Sequence, residues 1–214
     1  AMRNLARGSQ SPEDTALLKT KTAEMLRNKE WRTKPSAGYL EAFDVIVHTQ
    51  NTALAPDLLN LCEDRDQRGT RHAAFLTLDR LAMAKPAELL PELAEFAAKH
   101  PSSRLMVSNM VARADIRVPE QRQALENYLL DERRAPDELR AFASVFPNGN
   151  VSVSQNLLTR APVLQGADLA AQDRVALETM TAWLEDPRFA KVREPLAEAC
   201  KRLHGFVNGQ RGSK

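Results

Sequence analysis

Three short segments headed by proline decide the fold: PDLL at residues 56–59, PAELL at residues 86–90 and PEQR at residues 119–122. Proline is favoured in the first turn of an α-helix, where its missing N–H costs no hydrogen bond. The successive prolines are 30 and 33 residues apart. We therefore interpret the segments as the starts of three similar helical units.

Each unit contains a second helical pattern behind the first. Apolar residues recur there at the three- and four-residue spacing of one helix face. They are Ala74, Leu78 and Leu81 in the first unit, Val107, Met110, Val111 and Ala114 in the second, and Leu139, Phe142, Ala143 and Phe146 in the third. Helix pairs at this period, each too small to bury its own apolar face, are typical of a stacked α-solenoid. An irregular helical bundle with evenly spaced prolines is the alternative.

Helical patterns also flank these units. One helix is predicted from Pro12 to Lys34, and the chain restarts after Pro35 with a helix that runs to about Gln50. Asp168 is predicted to cap a later helix, and Pro187 to open the last one.

The resulting prediction is an all-α protein of about ten helices. It consists of a short, HEAT-like α-solenoid of antiparallel helix pairs between about residues 36 and 146, followed by a C-terminal helical hairpin. A single all-helical, repeat-like domain is expected over residues 13–206, between flexible termini at residues 1–12 and 207–214. A loop at residues 147–167, with two prolines and two glycines, interrupts the repeat and is either functional or a plain connection.

The last predicted helix carries one apolar stripe. Its members are Phe189, Val192, Leu196, Ala199 and Leu203. Such a stripe can cover the end of a stack or form a coiled-coil seam with a partner. The cover is favoured because solenoids need a capped end.

The proline at the head of each pair and the short turns between helices resemble the HEAT and armadillo-like repeat families over about residues 56–146. The units are shorter than is usual in those families, and the tetratricopeptide landmarks of Trp, Gly and Tyr at fixed offsets are missing. The resemblance implies a scaffold that binds a partner along a concave surface.

Composition agrees with a helical, globular protein. The 214 residues include 31 alanines and 28 leucines but only 8 glycines. A net charge of +2 disfavours nucleic acid or anionic lipid as a general partner. The sequence has no apolar run of the ~18 residues that span a membrane.

Two features of the sequence bear on its source and its compartment. The excess of arginine over lysine favours a bacterial source with high-GC coding. Ala1 before Met2 is typical of a cloning remnant, so a signal or anchor could have been removed. We expect a soluble segment and leave the compartment open between cytoplasm and periplasm.

Catalytic and metal-binding motifs are missing from the sequence. There is no nucleophile elbow, no phosphate-binding glycine loop and no HExxH motif. Cys200 and His204 share a helix face, but two ligands do not define a zinc site. We therefore expect no enzymatic activity, no metal and no cofactor. Cys62 and Cys200 are predicted to be free, buried thiols, too far apart to pair.

The alternative function is a HEAT-like nucleic-acid-binding protein or DNA glycosylase. Trp183 and Asp186 are the nearest candidates for its aromatic and acidic groups. A tryptophan in the core and an aspartate that caps a helix are the favoured interpretation of this pair.

The function predicted first is a non-enzymatic scaffold for protein–protein interaction. Its partner is expected to be another protein with an acidic surface, because guanidinium groups bind carboxylates in a bidentate way. The predicted contact residues lie on the second helices and in the loop. They are Arg71, Arg104, Asn109, Arg113, Arg140, Asn148, Asn150 and Ser152.

Overall fold

The computed structural model describes most of the chain. The described residues are 2–8, 11–34, 36–64, 66, 68–112, 114–116, 118–146 and 166–207. They form twelve α-helices and contain no β-strand, which confirms the predicted all-α class. None of the described helices combines the length and the apolar character that crossing a bilayer requires.

The chain divides into two compact units, Ala1–Lys85 and Pro86–Lys214. Unit 1 contains six helices and one 3₁₀ turn, at Thr52–Leu54. The helices are α1 Met2–Arg7, α2 Pro12–Arg27, α3 Lys29–Thr33, α4 Ala37–His48, α5 Ala55–Glu63 and α6 Arg68–Ala84. The prediction of a single domain over residues 13–206 stays a prediction.

Helix α4 is the centre of unit 1. It packs against α1, α2 and α6, while α5 packs against α6. Its buried residues are Tyr39, Ala42, Phe43, Val45, Ile46 and Val47. They extend around most of the helix because neighbours cover it on several sides.

The N-terminal region differs from the prediction in two ways. The single helix expected from Pro12 to Lys34 is two helices, because the Asn28 side chain accepts hydrogen bonds from the Glu30 and Trp31 amides and caps α3. Helix α1 was not predicted within residues 1–12, yet it packs on α4 and buries Ala6. Within the described part of the chain, these two differences account for twelve helices where about ten were expected.

The described residues of unit 2 form the other six helices and two 3₁₀ segments, Pro101–Ser103 and Pro187–Val192. The helices are α7 Pro86–Lys99, α8 Arg104–Val111, α9 Pro119–Leu130, α10 Pro136–Val145, α11 Gly166–Glu185 and α12 Arg193–Val207. Helix α7 packs against α8 and α9, α8 against α10, α10 against α12, and α11 against α12.

The predicted proline starts are confirmed at α5, α7 and α9. The apolar residues assigned to the second helices are all buried. Phe142 and Phe146 stack with their ring centroids 4.8 Å apart, and Tyr128 of α9 lies 6.3 Å from Phe142. The periodic pattern therefore identified buried residues correctly, but Ala114 lies beyond the end of α8 and Phe146 caps the end of α10 rather than belonging to it.

The C-terminal region requires two corrections. Helix α11 begins at Gly166, so Asp168 lies inside it rather than at its cap, and residues 166 and 167 of the predicted loop are helical. The rest of the predicted loop, residues 147–165, lies outside the described residues. Phe189 and Val192 belong to a 3₁₀ segment rather than to the last α-helix. All five residues of the predicted apolar stripe are buried. Because α12 packs against α10 and α11, the stripe is part of the unit 2 core and not an open seam.

Candidate functional site

A groove of about 420 Å³ lies between α7 and α9 in unit 2. The α7 side consists of Ala87, Leu90, Pro91 and Ala94, which follow one helix face at three- and four-residue spacing. The α9 side consists of Glu120, Gln123, Ala124, Asn127 and Tyr128, with Asp131 and Arg133 at the end. An apolar stripe thus faces a mainly polar one across the groove.

Pro91 gives the α7 wall an unusual backbone. It lies inside the helix and is exposed. A proline has no N–H, so the carbonyl of Ala87 lacks the donor that residue 91 would otherwise supply. Ala87 also lines the groove, so the carbonyl that lacks its usual helical donor belongs to a groove-lining residue.

The α9 wall carries two exposed amide side chains. Gln123 Nε2 donates to Asn127 Oδ1 over 3.1 Å, one turn apart on the helix. This contact leaves the Gln123 carbonyl as an acceptor and the Asn127 amino group as a donor. The pair can therefore bond both the N–H and the C=O of another backbone.

A buried ion pair fixes the far end of the groove. Arg134 and Glu138 are both 0% exposed, and Arg134 Nη1 donates to Glu138 Oε1 over 2.8 Å. Arg134 Nη2 donates to the carbonyl of Ala94 at 2.7 Å and to Asp131 Oδ2 at 3.1 Å. Tyr128 donates its hydroxyl to Glu138 over 2.6 Å, beneath the Arg134 guanidinium. The network joins α7 to the connection between α9 and α10.

Two titratable groups at this end of the groove have shifted pKa values. Partial burial opposes ionisation of Asp131, but hydrogen bonds from Arg133 and the charge of Arg134 outweigh it and lower the Asp131 pKa to about 2. Burial, followed by the charge of Glu138, raises the pKa of Tyr128. Asp131 is thus an anion at neutral pH and Tyr128 a neutral phenol.

The predicted contact residues are only partly brought together. Arg104 and Asn109 lie on α8 and Arg140 on α10, two helices that pack against each other, whereas Arg71 lies on α6 of unit 1. Asn109 and Arg140 are exposed and bond carbonyls of their own helices. The remaining predicted contacts are outside the described residues: Arg113, Asn148, Asn150 and Ser152.

The two residues considered for a glycosylase serve the fold. Trp183 is buried, stacks on Phe189 with ring centroids 5.3 Å apart, and donates Nε1 to Glu126 over 3.0 Å. Asp186 caps the following 3₁₀ segment and pairs with Arg188 at 2.6 Å. The interpretation of this pair as core and cap is confirmed.

The prediction of two free, buried thiols is confirmed. Cys62 and Cys200 are both free and buried, and burial raises both thiol pKa values, that of Cys62 to about 12. His204 is exposed beside Cys200. Among the described residues, no group of three or more His, Cys, Asp or Glu side chains is placed to hold a metal ion.

The groove was not predicted from the sequence, although two features of its lining are visible there. Gln123 and Asn127 share a helix face with Ala124, a pattern of amides beside a small residue. Pro91 interrupts a strongly helical run.

In comparisons with known proteins, no family model matches the chain, and neither does any curated protein or solved structure.

Proposed function

We propose that the protein is a non-enzymatic scaffold of stacked helix pairs that binds a segment of another protein in the α7–α9 groove. The observation that carries this proposal is the pairing of an apolar stripe on α7 with an amide-bearing stripe on α9. Apolar contact supplies binding free energy, and the amides supply hydrogen bonds that fix the orientation of a bound chain.

The packing order in unit 2 supports stacked pairs. Among the described helices, α7 contacts α9, α8 contacts α10, and α10 contacts α12. Glu95 near the end of α7 pairs with Arg133 just after α9, at 2.8 Å. The C-terminal ends of α7 and α9 therefore lie together, as expected for equivalent helices of neighbouring pairs.

The groove chemistry supports a peptide as the ligand. The Ala87 carbonyl and the Gln123–Asn127 pair offer acceptors and donors within one lining. Peptide recognition commonly combines such main-chain bonds with apolar contacts from side chains. The buried Arg134–Glu138 pair holds the walls in place, so less ordering is required on binding.

The predicted surface on α8 and α10 is a second contact region in this proposal. Arg104 is half-buried, and its Nε is buried without a hydrogen-bond partner among the described residues. Leu105 beside it is 54% exposed. A carboxylate on the partner would satisfy the guanidinium, while the leucine provides an apolar contact.

The test is peptide selection against the folded protein. Random dodecapeptides displayed on phage are enriched on the wild-type chain, then synthesised and measured by fluorescence anisotropy. Ala124→Tyr fills the groove and is expected to weaken the selected peptides at least about tenfold, because the apolar contacts are lost.

Ala23→Tyr is the matched control. Ala23 is also a half-buried alanine within a helix, on α2 of unit 1 and outside both proposed contact regions. It should leave peptide affinity unchanged, with both variants retaining wild-type circular dichroism. Equal binding to wild type and Ala124→Tyr would show that the groove is not the binding site.

A further inference from the structure

We infer that the segment bound in the α7–α9 groove is basic, carrying lysine or arginine beside small apolar residues. The inference rests on the proposed function and concerns the chemistry of its partner. It differs from the acidic partner predicted from the arginines of the second helices, because the first helices carry the opposite charge.

Carboxylates dominate the groove and its α7 rim among the described residues. Glu120 and Asp131 line the groove, and Glu88, Glu92 and Glu95 follow along the solvent side of α7. Arg133 and Lys99 are the exposed cations beside them, and the buried Arg134 pairs with Glu138 as well as with Asp131. The buried Arg134–Glu138 pair adds no net charge, so five carboxylates against two exposed cations leave this surface with a net charge of −3. A negative surface attracts and orients a positively charged segment.

Both cations are already engaged. Arg133 binds Asp131 at 2.9 Å and Glu95 at 2.8 Å, and Lys99 binds Glu95 at 3.1 Å. These contacts raise the pKa of Arg133, chiefly through the hydrogen bond to Asp131, and lower that of Glu95. The cations thus neutralise Asp131 and Glu95 and offer little to an acidic ligand.

Two carboxylates are left for recognition. Glu92 follows Pro91 on α7, Glu120 opens the α9 stripe, and both are exposed. Within the described part of the chain, neither makes an ion pair. Glu120 lies on the α9 wall and Glu92 on the solvent side of α7, so a chain in the groove can direct cationic side chains toward both helices. The Ala87 carbonyl adds an acceptor for an N–H or an ammonium group.

The experiment uses the same phage-displayed dodecapeptides, and the selected peptides are sequenced to determine their amino-acid composition. Peptides whose binding is blocked by Ala124→Tyr are expected to be enriched about twofold or more in Lys and Arg. Their affinity should fall as NaCl rises from about 0.05 M to about 0.5 M, since exposed charge pairs are screened. The double variant Glu92→Lys with Glu120→Lys should weaken them about tenfold.

A matched double reversal, Glu178→Lys with Glu185→Lys, provides the control. Both residues are exposed on α11, outside the groove, and the change in net charge is identical. It should leave peptide affinity within about twofold of wild type. Equal weakening by both double variants would show a general charge effect and overturn the inference.

The two proposals fail in different ways. If the peptides whose binding Ala124→Tyr blocks are neutral or acidic, the inference of a basic segment is overturned, but the proposal of a peptide-binding groove stands. If the selected peptides still bind the Ala124→Tyr variant, both the groove proposal and the basic-segment inference are overturned.

Discussion

At the scale of single residues, Gln50 occupies a position normally taken by glycine. Its φ is 47°, in the left-handed region, directly after α4. The Gln50 amide donates to the Val47 carbonyl and the Asn51 amide to the Ile46 carbonyl, both at 3.0 Å. This is the pair of bonds of a Schellman motif, in which an L-residue with a Cβ is strained.

Gln50→Gly is therefore expected to stabilise unit 1. Relief of the left-handed strain exceeds the extra entropy that glycine gains in the unfolded chain, and we expect a net gain of about 0.5–1 kcal/mol. Chemical denaturation followed by circular dichroism measures it. Gln50→Ala keeps the Cβ and should show no such gain; a Gly variant that is less stable than wild type would contradict the strain.

At the scale of helices, the Arg134–Glu138 pair joins three elements. Arg134 precedes α10, bonds the α7 backbone at Ala94, and covers Tyr128 of α9. Ser108 of α8 adds a fourth contact by donating to the Glu138 carbonyl over 2.7 Å. The charges are costly to bury, but the ion pair and its hydrogen bonds offset that cost and fix how these helices meet.

Arg134→Met should lower the free energy of unfolding by about 3–5 kcal/mol, because Glu138 is left as an unpaired buried charge. Adding Glu138→Gln should recover part of this loss, since the amide is neutral and its carbonyl still accepts from Tyr128. Urea denaturation measures both variants.

The exposed neighbour provides the comparison. Arg133→Met removes a guanidinium that is 54% exposed, so it should cost no more than about 1 kcal/mol. A double variant that is less stable than Arg134→Met alone would show that Glu138 contributes chiefly by means other than this pairing.

At the scale of the whole molecule, each compact unit holds one buried thiol. Cys62 lies on α5 of unit 1, and Cys200 lies on α12 of unit 2. Burial raises both thiol pKa values, which removes the reactive thiolate at neutral pH. Each cysteine therefore reports on the integrity of its own unit.

Both thiols should react with a disulfide reagent only as their units unfold. In the variants Cys62→Ala and Cys200→Ala, the remaining thiol should stay unmodified in buffer and react along the urea transition seen by circular dichroism. Stoichiometric labelling of either variant within minutes in buffer would contradict the burial of that thiol.

The sequence by itself determined where helices form and which face of each is apolar. Prolines 56, 86 and 119 marked helix starts, and the spacing of Leu139, Phe142 and Ala143 marked a buried face. These features depend on neighbours within one or two helical turns, which the sequence displays directly.

Only the tertiary structure shows which helix faces pack together and which groove forms between the packed helices. Arg133 and Arg134 look alike in sequence, yet one is half exposed and the other fully buried, because the carbonyl that Arg134 binds lies 40 residues away on α7. The groove arises in the same way, since Pro91 and Gln123 share a lining only after α7 and α9 pack. Periodicity reports the apolar face of a helix, but not the partner that covers it.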